Sequence, residues 1–288
     1  MENYRCVTSV QEIQEYIGNA AVVAFDYETA PDEPYRMEEK AALDPYKSHI
    51  VGCSFSTKKH TGIYVPVAHK VGENIENALF LCFLKSFLTN KNIIKIAHNI
   101  AFESAVSCHQ GIVIQPPVYD TICAAQMTLK SNYEFRKLAD SGLKKLASEL
   151  CHEPLPTFSE VTNGRHFDEL DAQDSETVRY GCADSDFALR LYHIFNNWFD
   201  RFLPKHRYIA EQIESPTAVY LGIMKHNGVP VDADLMKSHQ QEAEQQMQRI
   251  RNEIIMLIGD IEIGANCGTK AFKDYLYQTL KLPVMKVT

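Results

Sequence analysis

Two short stretches, the apolar 21–25 (AVVAF) and the mostly apolar 93–97 (IIKIA, with Lys95 at its centre), constrain this chain more than any other feature. Neither shows the regular polar alternation of a half-exposed strand, so each reads as a short strand buried on both faces of a sheet. Such strands need helices to cover them. The spacing predicts a short helix from Ser9, whose Ser-x-x-Glu relation to Glu12 reads as a capping box. Further helices are expected over 73–88, 120–128 and 141–150, with a long one capped by Asp174 and running to about Trp198. Residues 50–56 and 61–67 read as a hairpin turning on TKKH, and 154–171 as a loop. Hairpin strands followed by β-α-β order imply an α/β domain, a mixed sheet flanked by helices.

After Pro204 the strand pattern ends. Helices are expected over 205–227, stopping at Asn227-Gly228, then 232–258 and 269–280. The expected domains are therefore 1–203, α/β, and 204–288, an all-helical C-terminal segment. The chain has 288 residues, room for one large domain or two ordinary ones, and its 45% hydrophobic and 23% charged composition excludes disordered and collagen-like classes. Its longest apolar stretch, 78–88, is too short for a bilayer and contains Lys85. The first residues lack the basic start and apolar run of a secretory signal, so the expectation is a cytoplasmic protein with no membrane partner. Eight cysteines without a C-x-x-C pair read as reduced thiols.

The net charge of −8 lies in residues 1–204, where 27 acidic side chains face 19 basic ones. That excludes a broadly basic nucleic-acid clamp and leaves carboxylates for solubility or for holding metal ions. Asp26 and Glu28, at the end of the strand AVVAF, share one face because strand side chains alternate. They would form either a solvated turn or a repulsive pair relieved by a divalent cation. After IIKIA comes His98-Asn99-Ile100-Ala101-Phe102-Glu103. Here Asn99 would cap the next helix and Glu103 would sit in its first turn, favoured by the helix dipole, unless both serve a site. Tyr180 and Asp184 lie four apart on one face of the long helix, either a surface pair or functional partners. Asp186 must point elsewhere.

The three groups are separated by 77 and 81 residues, in the order strand, strand-to-helix loop, mid-helix. Together, AFDYETAP, AHNIAFE and YGCADSDFALRLY resemble the three motifs of the DEDD superfamily of 3′–5′ exonucleases, in its tyrosine-bearing branch. Within that superfamily they are most similar to the proofreading domain of family A DNA polymerases. The stretches IVGCSFSTKKHTGIYVPVAH and YDTICAAQ fit the same family, and the resemblance covers about residues 1–200. Further on, IESPTAVYLGIMKHNGVPVDADL resembles the helix that opens the polymerase region, and KLPVMKVT the part entering the thumb. Palm motifs are not found in these 288 residues, so the chain reads as part of a longer polymerase whose remainder would act in cis.

The resemblance implies a ribonuclease H-like fold and two divalent metal ions, Mg2+ or Mn2+. Asp26 would bridge them, and Glu28 and Asp184 would hold the one that generates the nucleophile. Glu103 would serve the second ion through water, and Tyr180 would orient the attacking water. Two ions about 4 Å apart clamp the attacking and leaving oxygens of a phosphodiester. Asn99 would position the terminal nucleotide of a single-stranded DNA 3′ end, with Phe102 and Phe167 stacking on its bases. One departure stands out. The family's second motif usually ends in Asp, and Glu103 extends that carboxylate by about 1.5 Å. Two other readings remain open at this level: a ribonuclease D-like exoribonuclease, and a catalytically silent domain supporting the polymerase.

Overall fold

The computed structural model describes residues 2–130 and 132–283. Contacts divide the chain into two compact units, 1–228 and 229–288. The first is built on a six-stranded mixed sheet of order β1-β4-β3-β2-β5-β6. Its strands are β1 (Asn3–Cys6), β2 (Val22–Pro31), β3 (Ser48–Ser56), β4 (Thr61–Pro66), β5 (Ile94–Ala97) and β6 (Val118–Asp120). β3 pairs antiparallel with both β2 and β4, whereas β2–β5 and β5–β6 are parallel. The hairpin and the two apolar strands stand as expected, but β1 and β6 were not legible. Each is three or four residues long, too short for a period to show.

β2 divides the core. Alternation sends Val23, Phe25 and Tyr27 into one cluster, with Ile13, Phe80, Leu84 and Val106 of the helices on that face. Ala24 faces the other cluster, with Phe187, Leu191 and Phe195. The first face is covered by α1 (Val10–Ile17), α2 (Asn77–Thr89) and α3 (Ile100–His109). The second is covered by α4 (Thr121–Leu129), α5 (Leu143–Leu146) and the long α7 (Ser175–Phe202), while the short α6 (Phe158–Thr162) precedes α7. α6 interrupts the stretch expected to be loop. Its Thr157 accepts the Glu160 backbone N–H while the Glu160 carboxylate accepts the Thr157 N–H, a reciprocal capping box.

β2 also runs further than the sequence suggests, to Pro31. Asp26 and Glu28 therefore lie inside the strand and not at its end, because β3 continues to pair with it through a bulge after Glu28. The parallel partner β5, by contrast, reaches only as far as Ala24. Both carboxylates consequently stand just beyond the C-terminal end of the parallel pairing, where α/β sheets open a crevice.

The expected boundary at 203/204 falls within the first unit. α8 (Pro204–Ile209) widens by one residue over Ala210–Glu214 and continues as α9 (Ser215–Asn227). α9 lies on α3: Ser104 Oγ donates to the Val219 carbonyl at 2.8 Å, and a Cβ on Gly222 would meet the Ala101 carbonyl at 2.3 Å. Buried Ser215 accepts the Asp120 backbone N–H at 2.9 Å and donates to the Ala210 carbonyl at 2.7 Å. Gly228 ends the helix with positive φ, as expected. The second unit contains α10 (Ala233–Ile258), capped by Asp232, and α11 (Lys270–Asp274), capped by Thr269. No residue of α10 is buried. Of the KLPVMKVT ending, residues 284–288 lie outside the described ones. Among the described residues no helix is long and apolar enough to cross a membrane.

Asp120 ties this scaffold together. Its carboxylate accepts the N–H groups of Asn99 (3.1 Å), Ile100 (3.0 Å) and Ile122 (2.8 Å), so one buried side chain caps both α3 and α4. Removing it leaves several donors orphaned. Asp120→Ala should lower the unfolding free energy by about 3 kcal/mol, combining a lost cap with unsatisfied buried N–H groups. Denaturant unfolding checks this, and a loss below about 1 kcal/mol would contradict the capping account.

Candidate active site

α7 packs against β2, β3 and β4. Asp174 starts it by accepting the N–H groups of Glu176 and Thr177. Four-residue spacing then puts Tyr180 and Asp184 on the face toward Asp26 and Glu28. Close approach is required here: a Cβ on Gly181 would come within 2.6 Å of the Tyr64 ring, and one on Gly52 within 2.0 Å of its hydroxyl. Asp186 points away, as expected, to Tyr4 Oη (2.8 Å), the His60 N–H (2.8 Å) and Arg190 (3.0 Å).

Carboxylate oxygens of Asp26, Glu28 and Asp184 all lie within 4.8 Å of one another. Burial raises the pKa of each above its ordinary value. Asp184 is pushed up to about 6, and in Asp26 and Glu28 burial is joined by repulsion from the neighbouring carboxylates. Glu103 stands apart from that trio, in the first turn of α3, but the Asp26 charge acts on it. It is 1% exposed, its pKa is raised by burial and then by Asp26, and its Oε2 has no hydrogen-bond partner. Crowded carboxylate oxygens with an orphaned one behind them are what a hard divalent cation binds, so the residues present fit metal ions.

Tyr180 is buried beside these groups, and burial followed by Glu28, Asp184 and Asp26 raises its phenol pKa, so it stays protonated. Its oxygen lies 3.0 Å from Lys144 Nζ. Lys144 also lowers the pKa of Asp26, Glu28 and Asp184. The sequence does not single out Lys144. It is one of two lysines in a short helical stretch, and nothing separates it from a solvated one. Asn99 occupies the cap position of α3 with left-handed backbone (φ 77°), yet its side chain makes no capping bond, since Asp120 has taken that role. It is exposed. His98 is a packing residue: Nδ1 meets Thr121 Oγ1 at 2.8 Å, and burial pushes its pKa down to about 4.

The aromatic candidates divide. Phe102 is half-buried against the core. Phe167, expected to stack on bases, is 1% exposed and packs among Tyr64, His69 and Tyr180, so its faces are used up. The turn Phe167–Glu169 tucks it inward, Asp168 of the same turn pairing with Arg36. Phe158 of α6, stacked on Phe167 at 6.4 Å and 45% exposed, is the ring that offers a surface beside Tyr180. The sequence does not single it out, because residues 154–171 look like loop.

A ribonuclease H-like sheet whose central strand, following helix and crossing helix present an acidic cluster and a tyrosine defines a nuclease of the DEDD kind. Residues 1–200 match the family described as 3′–5′ exonuclease, and the chain belongs to that family, the exonuclease of family A DNA polymerases. DNA polymerase I of Borreliella burgdorferi is 26% identical over 284 residues, covering 97% of this chain and 28% of the relative. The chain thus spans under a third of the length of the curated relatives it matches. Among solved structures, the POL domain of Pol1 from M. smegmatis, in complex with DNA primer-template and dNTP, has a TM-score of 0.66 at 16% identity, covering 98% of this chain and 42% of that one. Trypanosoma brucei RNase D has a TM-score of 0.59 at 16% identity, covering 80% and 67%. These two likenesses bear on the fold.

Protonation of the cluster has a sign. Unfolded carboxyls titrate near 4. Between that value and the raised folded ones, the folded metal-free chain holds protons that the unfolded chain has released, so raising the pH destabilises it. In excess chelator the melting temperature should fall relative to that of Asp26→Asn between pH 5 and pH 8, since the histidines are common to both, and Asp26→Asn should have the higher value at pH 8. A lower melting temperature for Asp26→Asn at pH 8 would contradict the repulsion.

Proposed function

We propose that this chain removes 3′-terminal nucleotides from single-stranded DNA as the proofreading part of a family A DNA polymerase, whose remainder acts in cis. Two divalent ions, Mg2+ or Mn2+, would be held by Asp26, Glu28, Glu103 and Asp184. The observation that carries the reading is the crowding of Asp26, Glu28 and Asp184 within 4.8 Å, with charge held off them by burial and repulsion. The name of the curated relatives supports DNA as substrate over RNA.

Bound divalent ions supply Lewis-acid stabilisation of charge on the attacking and leaving oxygens. The chain's own residues do the rest. The carboxylates release their protons as the cations replace mutual repulsion. Tyr180, protonated and buried, orients the attacking water through its hydroxyl. The water oxygen bonds to phosphorus as its proton passes to solvent, the P–O3′ bond breaks, and the departing 3′ oxygen takes up a proton from solvent water. Asn99, exposed at the mouth of α3, would hold the terminal nucleotide by its amide. Phe102 and Phe158 would stack on its bases, with Phe167 supporting Phe158 from beneath.

Excess chelator and Asp26→Ala should each abolish degradation of a labelled single strand, and a matched RNA oligomer should be degraded more slowly. Glu103 gives the sharper result. Acting on the second ion through water, it should tolerate Glu103→Asp within about tenfold, or about 1.4 kcal/mol in barrier. Glu103→Ala should cost far more. If Glu103 serves only the helix dipole, Glu103→Ala costs at most about 1 kcal/mol of stability and leaves turnover alone. Single-turnover hydrolysis and melting temperature of both variants separate the two, and a normal rate with Glu103→Ala takes Glu103 out of the site.

A further inference from the structure

Given the exonuclease reading above, we infer that Lys144 is a positioning residue for the reaction: its ammonium fixes the Tyr180 hydroxyl as a hydrogen-bond donor toward the attacking water. The relevant contacts are short and converge. Lys144 Nζ lies 3.0 Å from Tyr180 Oη, 2.7 Å from the Pro156 carbonyl oxygen, and 4.4 Å from the centroid of the Tyr180 ring.

Hydrogen counting gives the direction of the bond. An ammonium has three donors and no lone pair, so Lys144 donates and the phenol oxygen accepts. Tyr180 carries its own proton at neutral pH, as any phenol with an ordinary pKa near 10 does. That proton must point away from Lys144, and among the described residues nothing accepts it. It is free for a group that arrives with the substrate. A water that attacks phosphorus with one lone pair can present another to such a donor, which fixes its approach. Without Lys144 the hydroxyl could turn and accept a water proton, leaving the attacking lone pair misdirected. Placement supports the same role. A lysine with no task would extend its head into solvent, whereas Lys144 is half-buried and tied to the segment just before α6, with its charge over the tyrosine ring. It thereby joins α5, the entry to α6 and α7 around one hydroxyl.

The test is a double-mutant cycle on the purified 288-residue chain with Lys144→Met, Tyr180→Phe and the pair, plus Lys144→Arg as the conservative variant. Under saturating single-stranded oligonucleotide, Lys144→Met should slow hydrolysis about tenfold or more while half-saturation moves less than about twofold. In the Tyr180→Phe background the same change should cost almost nothing further, and Lys144→Arg should recover part of the rate. Equal slowing in both backgrounds, a change confined to half-saturation, or an unchanged rate would overturn the inference. A second cycle, in urea unfolding with excess chelator, reads the contact without any turnover: the two substitutions should be non-additive. Additivity there also overturns the inference. If the wild-type chain cleaved no 3′ ends, the exonuclease reading itself would fall, and the unfolding cycle would still decide whether Lys144 holds the hydroxyl.

Discussion

The two-residue alternation of β2 is the constraint on which this domain depends. One strand must feed two cores, so Val23, Phe25 and Tyr27 enter one while Ala24 enters the other. Asp26 and Glu28 continue the Ala24 face into the crevice opened where β5 stops pairing. A one-residue slip of β2 against β3 would exchange the faces, burying both carboxylates in an apolar cluster and turning Phe25 and Tyr27 into the site. The register that holds the core together and the register that builds the site are the same register.

That arrangement gathers like charge, which costs stability in the metal-free state. The surrounding structure offsets part of it. Lys144 places a positive charge among the carboxylates, and Asp120 holds α3 so that Glu103 faces Asp26 without a bonding partner for its outer oxygen. The site is poised for cations because its carboxylates are less comfortable without them than an exposed set would be. Tyr180 shares this environment: burial first, then the neighbouring carboxylate charges, raise its pKa as well and keep the phenol neutral. A neutral phenol can direct a water by hydrogen bonding.

The C-terminal helices show how a local reading of domains can differ from the packed structure. Strand patterns end near 204, and that change of character is real. Yet α9 carries Ser215, Val219 and Gly222 on one face, and these meet Asp120, Ser104 and the Ala101 carbonyl of the sheet domain. Contact, and not composition, extends the first unit to Gly228.

Much of the candidate site was legible because it obeys local periods. A spacing of two on a strand and four on a helix says which side chains share a face, and three such groups in the right order match the exonuclease motifs without any knowledge of distance. Asp26, Glu28, Tyr180 and Asp184 were found that way. Glu103 and Asn99 were found by their place after a strand, although the capping role offered for Asn99 went to Asp120, 21 residues on. Other features follow no period. Whether Phe167 or Phe158 shows a face to solvent, whether a lysine in a short helix turns inward to a phenol, and how far β2 runs past its parallel partner depend on what packs there from elsewhere in the chain. Sequence alone determined the chemistry available and its order along the chain, since side-chain type and spacing are local. Only the tertiary structure decided which groups meet, because burial and long-range hydrogen bonds are set by segments that can lie well over a hundred residues apart.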